Sequence, residues 1–269
     1  HAEIYNEESS DRAFEEEVML SGFANAQVKG EGAGVSFDEA QETFTARYTH
    51  ETVALAFAIT EEAIEDNLYD RLASRYTKAL ARSMSNAKQV KSVEPLINGL
   101  PSTDAFDSGD GVSLFNTAHP TVAGTFANTL ATQADLNETS LEQSMIDIAQ
   151  MTDERGLRIA ARGVKMIIPS ELQFTAERLM KSQGRTGTAD NDINAIVSMG
   201  MVPQGYRVNN YLTDSDAFYI LTDIPNGMKM FNRAPLTTAM EGDFDTGNVR
   251  YKARERYSFG VSDPRGIFG

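Results

Sequence analysis

Three histidines, His1, His50 and His119, are the side chains best suited to acid–base catalysis or zinc binding in this sequence. Their spacing matches no metal-binding motif, because zinc sites draw their histidine or cysteine ligands from closely spaced pairs. The chain has no cysteine, which excludes a thiolate metal site, a cysteine nucleophile and a disulfide scaffold. We interpret His50 and His119 as residues that pack or fix a turn. The sequence therefore predicts no catalytic residue, no metal site and no cofactor.

Two glycine-rich segments and one aspartate cluster superficially resemble ligand-binding loops. Gly30–Gly34 lacks the last glycine of a dinucleotide fingerprint and carries Glu31 where a phosphate would approach. Residues 184–187 lack the lysine of a phosphate-binding loop. Asp104, Asp107 and Asp110 lack the alternating register and the closing glutamate of a calcium loop. We interpret these segments as turns and mobile loops.

The charge of the chain is large and unevenly placed. Its 39 Asp and Glu residues against 24 Lys and Arg residues give a net charge of −15, which disfavours a dedicated nucleic-acid reader. Residues 1–60 hold 12 acids and 3 bases, whereas residues 249–269 hold 5 bases and 2 acids. In the last segment Arg250, Lys252, Arg254 and Arg256 alternate with apolar residues, so a strand would place all four on one face. The acidic N-terminal segment and the basic C-terminal segment are predicted to contact each other, within one chain or between copies.

The first 60 residues are predicted to depend on a neighbour for burial. Residues 1–20 form an acidic arm with few large apolar side chains. The next segment, 21–59, is predicted to be a β-hairpin with strands at 35–37 and 43–48, and isolated hairpins are only marginally stable. We therefore expect the arm and the hairpin to lie on another molecule or another domain.

The rest of the chain alternates between helix and strand patterns, which predicts an α+β fold with two substructures in 269 residues. Thr60 precedes four acids and a stripe of apolar residues every four positions from Ile64 to Met84, which predicts a long helix closed by Pro95 and Gly99. The other predicted elements are helices at 140–154 and from Ser170, an exposed loop at 182–194, and strands at 164–168, 206–208, 217–221 and 249–261. The longest apolar stretch, Val53–Ile59, is far shorter than the roughly 20 residues of a membrane span, so no membrane contact is predicted.

Several segments, in this order, resemble major capsid (head) proteins of tailed bacteriophages, in particular Mu-like and related phage head subunits. The segments that carry the resemblance are Ala58–Tyr69, Leu114–Pro120, Ile168–Leu172, Tyr211–Asp214 and Phe218–Leu221. The likeness extends over essentially the whole chain.

The resemblance implies the Hong Kong phage-type (Johnson) capsid fold. It implies an N-terminal arm (1–20), an extended loop that overlies the adjacent subunit (21–59), a peripheral domain with a spine helix (60–134 and 226–269) and an axial domain (135–225). The implied function is structural: hexamers and pentamers that close into an icosahedral head around double-stranded DNA, without sequence-specific binding. The implied partners are other copies, a portal protein and decoration or cement proteins. The implied location is the virion, with assembly in the host cytoplasm.

We predict that subunit contacts involve both ends of the chain and the loops. Some capsid relatives link their subunits covalently through a lysine of the extended loop, and Lys29 is the only lysine before Lys78; we interpret it as an ordinary solvated side chain. The predicted interface residues are Glu15, Glu16, Glu17, Lys29, Phe37, Arg47, Arg185, Arg250, Lys252, Arg254 and Arg256. Within this set we expect the acids of the arm to meet the basic strand of another subunit.

Two other interpretations remain. An encapsulin-like compartment would share the fold but enclose cargo proteins instead of DNA. A soluble metabolic enzyme would have to use His119 and nearby aspartates.

Overall fold

The computed structural model describes residues 1–66, 69–102, 105–184 and 192–269, with the backbone alone for 69–73. The strands are β1 (Asn6–Ser9), β2 (Phe14–Leu20), β3 (Glu42–Thr49), β4 (Glu51–Ile59), β5 (His119–Thr121), β6 (Gly124–Phe126), β7 (Gly163–Ile168), β8 (Tyr206–Val208), β9 (Tyr219–Thr222), β10 (Met228–Gly242), β11 (Val249–Val261) and β12 (Ile267–Phe268). The helices are α1 (Glu61–Glu65), α2 (Tyr69–Ile97), α3 (Glu138–Gln150), α4 (Gln173–Lys181) and α5 (Ala195–Met199), with short 3-10 turns at Ser170–Leu172 and Pro264–Gly266. The fold is α+β, as the sequence predicts.

The first large sheet is built around β11, in the order β1-β10-β11-β4. Its apolar side packs on α2, where Leu80 and Met84 are buried against Ala253. The predicted strand at 249–261 and its alternation are confirmed. Glu255 is the one charge on the buried side of β11, and Lys88 of α2 reaches it at 3.3 Å. The sheet and the long helix are therefore joined by a buried ion pair as well as by apolar contacts.

The predicted spine helix differs from the observed one in two places. A first short helix, α1, ends at Glu65 with Asp66 as its C-cap, and the longer α2 begins at Tyr69; Asn67 and Leu68 lie outside the described residues. Pro95 does not close α2, which continues to Ile97. A proline in the last turn removes only one helical hydrogen bond, and the buried side chains of Val93 and Leu96 hold this turn against the core.

The N-terminal hairpin also differs from the prediction. Residues 35–37 are not a strand; the hairpin pairs β2 with β3, and residues 21–41 connect them. The cause is an inverted pattern in β2, whose acidic Glu15 and Glu17 turn towards the protein while Phe14 and Val18 turn outward. The predicted arm thus supplies one strand of the hairpin.

The second large sheet, in the order β12-β9-β7-β8, forms a separate core with α3 and α4. The strands predicted at 164–168 and 206–208 are confirmed. The helix predicted at 140–154 runs instead from Glu138 to Gln150, because Asn137 is the N-cap and Ser140 completes its capping box. Ser170 begins a 3-10 turn and does not cap α4.

A close backbone crossing joins the two sheets. Gly227, just before β10, passes Gly266, just before β12, so closely that a Cβ on Gly227 would lie 2.8 Å from the Cα of Gly266. This spacing leaves no room for a side chain at either position. Within the described ranges no helix has the length and apolarity needed to cross a membrane.

We expect Gly227→Ala to destabilise the unassembled subunit by about 1–3 kcal/mol, because the added methyl group meets backbone that cannot rotate away. Thermal unfolding measures the effect. Gly34→Ala is the control, since a Cβ at Gly34 contacts nothing within 4 Å. Equal melting temperatures for the two variants would contradict this account of the crossing.

Candidate subunit interface

The N-terminal arm lies on its own chain. Ile4 and Tyr5 are buried, and the Tyr5 hydroxyl donates to the carbonyl of Ser92 in α2 at 2.7 Å. The next residues form β1, which pairs in parallel with the edge of β10. The arm therefore has an intramolecular partner, but these contacts are with α2 and β10 and not with the basic row of β11 that the charge distribution predicts as its partner.

A buried lysine holds the arm and the hairpin to the first sheet. Lys229 of β10 is only 5% exposed, and its Nζ lies 2.5 Å from Oε1 of Glu17 and 3.2 Å from Oε1 of Glu8. The second carboxylate oxygen of Glu17 accepts from the hydroxyl of Ser262, which is also bonded to the hydroxyl of Tyr48. Burial alone would lower the pKa of Lys229, but the hydrogen bonds with Glu17 and Glu8 outweigh it and the pKa is raised. We call Lys229, Glu8 and Glu17 the lysine clamp.

His50 occupies the junction between β3 and β4. Its Nδ1 lies 3.0 Å from the hydroxyl of Ser258 and its Nε2 lies 3.0 Å from that of Ser10. Burial, assisted by the nearby charge of Arg256, lowers the pKa of His50 below its ordinary value of 6.5. The ring thus connects the arm, the hairpin and β11 in its neutral form.

The other predicted interface residues of the hairpin also have partners in their own chain. Glu15 accepts from the hydroxyl of Ser10 at 2.7 Å, and Glu16 lies 3.7 Å from Arg47. The guanidinium of Arg47 lies 4.1 Å from the ring centre of Phe14. These contacts fix the hairpin strands to each other.

The connection 21–41 contrasts with the strands that carry it, because it is exposed along almost its whole length. Phe37 is 97% exposed, and Lys29 is also on the surface. Among the residues that the structure describes, Arg155 of the body reaches the connection: it donates to the carbonyl of Glu39 at 2.5 Å and lies 3.8 Å from Asp38. Most apolar side chains of this connection consequently remain unburied in the single chain.

The basic row of β11 has three exposed members, Arg250, Lys252 and Arg254. Arg250 forms an ion pair with Asp243 in the β10–β11 turn. Among the residues that the structure describes, neither Lys252 nor Arg254 has an ion-pair partner. Arg256 does not extend the exposed row, because it is half-buried and its Nε is enclosed without a hydrogen-bond partner in the described chain. The last predicted cation, Arg185, lies outside the described residues.

His119, the histidine that a soluble enzyme would use, is enclosed in the fold. His119 is fully buried, with Nδ1 2.6 Å from Asp110 and Nε2 2.9 Å from the side-chain oxygen of Asn128. Asn128 in turn donates to the carbonyls of Leu114 and Pro264, at 2.7 and 3.0 Å. This network fixes the C-terminal segment, a wider structural role than the predicted turn. Across the described part of the chain, no three His, Asp or Glu side chains come together as metal ligands.

Lys229 and the ion pair of Lys88 with Glu255 were not predicted from the sequence. Lys229 stands alone among Met228, Met230 and Phe231, and a single cation within an apolar strand is a signal for a buried ion pair. Its partners could not be deduced from the sequence, because they are more than 200 residues away.

The chain is similar in sequence to one protein family and in fold to several solved structures. A family model described as phage capsid protein matches residues 42–268. Among solved structures, the chain is similar to the capsid of an empty GTA particle (TM-score 0.65, 12% identity, 99% of this chain and 87% of that one). It is also similar to the capsid of Myoviridae phage XM1 (TM-score 0.57, 12% identity, 98% of this chain and 87% of that one). A third similar structure is a virus-like particle from Pyrococcus furiosus (TM-score 0.55, 11% identity, 99% of this chain and 89% of that one). No curated protein sequence matches the chain.

Replacing Lys229 by Met should release the arm and the part of β2 around Glu17 that the lysine clamp holds. Glu17 and Glu8 would then lose their buried counter-charge, at a cost of about 1–3 kcal/mol. Limited proteolysis of the folded subunit should cut earlier within residues 1–20, and Lys78→Met, at an exposed position of α2, serves as the control. Glu17→Gln added to Lys229→Met should restore part of the loss. Unchanged cleavage of the Lys229 variant would show that the clamp does not hold the arm.

The buried neutral His50 predicts a loss of stability in acid. Below its ordinary pKa of 6.5 the unfolded chain takes up a proton that the folded chain resists, so stability is complete above that pH and falls below it. We expect His50→Gln, which retains hydrogen-bonding groups, to lose less free energy of unfolding than the natural chain between about pH 7 and pH 5. Denaturant unfolding at both pH values measures the difference, and identical pH dependence would contradict it.

Proposed function

The chain belongs to the phage capsid protein family, and from this membership we propose that its copies assemble into the closed head of a tailed phage. The subunits would form hexamers and pentamers in an icosahedral shell around double-stranded DNA. The fold supports this proposal, since it is shared with capsid structures over almost the entire chain.

One observation carries the proposal: an apolar surface on the hairpin and its connection that the single chain does not bury. The seven exposed apolar side chains are Phe14, Val18, Leu20, Phe23, Val28, Val35 and Phe37. A stable monomer rarely presents such a series on one projecting segment. A neighbouring copy in a ring can cover it, because a heterologous contact repeated around the ring leaves no segment unpaired.

The packing supports the proposed domains. One core cluster gathers side chains from α3, α4, β7 and β9, which fits an axial domain at 135–225. A second cluster gathers side chains from α2, β10 and β11, which fits a peripheral domain at 60–134 and 226–269. Ile167 of β7 and Tyr219 of β9 also belong to this cluster, so the two proposed domains pack directly on each other. The arm at 1–20 contributes Ile4 and Tyr5 to the second cluster, and β4 at the end of the extended loop (21–59) belongs to the peripheral sheet. The rest of these two segments would then reach beyond the cores.

We infer that the protein is a structural component and has no catalytic activity. All three histidines are hydrogen-bonded within the fold, to Gln89, Ser258 and Asp110 among others. This arrangement counts against the soluble enzyme that would use His119.

The proposed partners beyond other copies are a portal protein, decoration or cement proteins and the packaged genome. The net charge of −15 suits a container that does not grip DNA, because an acidic wall repels phosphate. Assembly would take place in the host cytoplasm, and the mature protein would reside in the virion.

The encapsulin-like compartment is the second candidate, because such a shell would share the capsid fold. The contents of purified particles distinguish the two functions. DNA that resists nuclease until the shell is opened supports the phage head, whereas enclosed protein without DNA supports the compartment.

Replacing residues 24–38 by a short Gly-Ser linker should abolish assembly without unfolding the subunit, since Ser21 and Gln41 already close the hairpin by a backbone hydrogen bond of 2.8 Å. Sedimentation velocity should show large particles for the natural chain and small species for the variant, with unchanged circular dichroism. Lys29→Ala, which keeps the connection, is the control and should assemble. Normal particles from the shortened variant would refute the proposed role of this segment.

A further inference from the structure

The outer edge of the first sheet is open along β4. This strand is last in the order β1-β10-β11-β4, so only one side of its backbone pairs with another strand. Among the described residues, no loop or strand supplies backbone hydrogen bonds to the other side. The nine residues Glu51–Ile59 contain neither proline nor lysine, which are the residues that commonly protect an edge from pairing. An edge of this length and composition is a template for an added strand.

The two faces of β4 differ in composition, and this difference indicates which kind of strand the open edge would accept. On one face Val53, Leu55 and Phe57 are apolar, and Leu55 is 45% exposed. On the other face Ala54, Ala56 and Ala58 lie directly opposite the basic row of β11. Alanine side chains are short, so the long side chains of Lys252 and Arg254 can extend across β4 towards its open edge, where an added strand would lie about 4.8 Å beyond.

The segment that fits is part of the connection 21–41. Val35 and Phe37 alternate with Ser36 and Asp38, so an extended chain places two apolar side chains on one face and an acid on the other. Val35 is 67% exposed, and residues 35–37 pair with no described strand of their own chain. The strand pattern of these residues is therefore unused in the isolated subunit.

We propose that residues 35–38 of one copy add as an edge strand to β4 of a second copy. Val35 and Phe37 pack on the face of Val53, Leu55 and Phe57. Asp38 exchanges its exposed contacts with Arg155 and the amide of Ala24 for a position within reach of Lys252 and Arg254. The acids of the arm are less suitable occupants, because Glu8 and Glu17 are held by Lys229. This inference rests on the proposed function and specifies which surface receives the extended loop.

The absence of cysteine from the sequence allows a direct test. A subunit with Phe37→Cys is co-assembled with subunits that carry Val53→Cys, Leu55→Cys or Phe57→Cys, and the particles are oxidised and separated on a non-reducing denaturing gel. Facing positions of adjacent strands bring Cβ atoms close enough for a disulfide. At least one of the three mixtures should therefore give a covalent dimer that neither variant gives alone. Ala54→Cys and Ala56→Cys, on the opposite face, are the matched controls and should give no such band.

Particles that form without a dimer in any of the three mixtures, or with equal dimer in the controls, overturn the proposal and leave the capsid function standing. Hydrogen exchange of the natural chain gives a second measurement: amides of residues 51–59 should exchange more slowly in particles than in free subunits, and equal exchange also overturns the proposal. Reduced DNA content in Lys252→Glu particles, together with no dimer, would assign the basic row to the genome instead. Failure of the natural chain to form any particle contradicts the capsid function and this inference with it.

Discussion

An ammonium group buried in a protein requires counter-charges at hydrogen-bond distance. Both counter-charges of Lys229, the carboxylates of Glu8 and Glu17, come from the N-terminal segment. Glu8 comes from the arm and Glu17 from the first strand of the hairpin, so one residue of β10 fixes both relative to the main sheet. The contact of Glu17 with Ser262, and of Ser262 with Tyr48, extends this attachment to the second hairpin strand. A hairpin fixed firmly at its root can project its far end without support from its own chain.

The same fixation explains why the outer part of the segment is apolar. In β2 the acids are turned inward to the clamp and its neighbours, which leaves Phe14 and Val18 on the outside. The exposed side chains continue to Phe37 along a connection that the body touches mainly through Arg155. A segment of this kind is consistent with a subunit whose burial is completed by identical neighbours, and the phage capsid family provides that setting.

The regular elements of the body could be predicted because each buries one face in its own chain. The strand at 249–261 shows this most clearly, since its alternation gives both the buried side and the exposed cations. The hairpin was assigned to the wrong residues, because three consecutive glutamates hide the alternation of β2 and its apolar side faces outward. Residues 35–37 alternate as a strand would, but they form no strand, because no partner for them exists among the described residues of the same chain. Lys229 and its carboxylates were beyond prediction, since the fold alone brings together residues so distant in sequence.

Whether this chain is a shell subunit completed by its neighbours is tested most directly by cryo-electron microscopy of the purified protein. We expect closed particles of one size, with rings of five and six subunits and the segment from Phe14 to Phe37 covered by an adjacent copy. Monomers or small oligomers under conditions that favour assembly, or shells in which this segment remains uncovered, would contradict it.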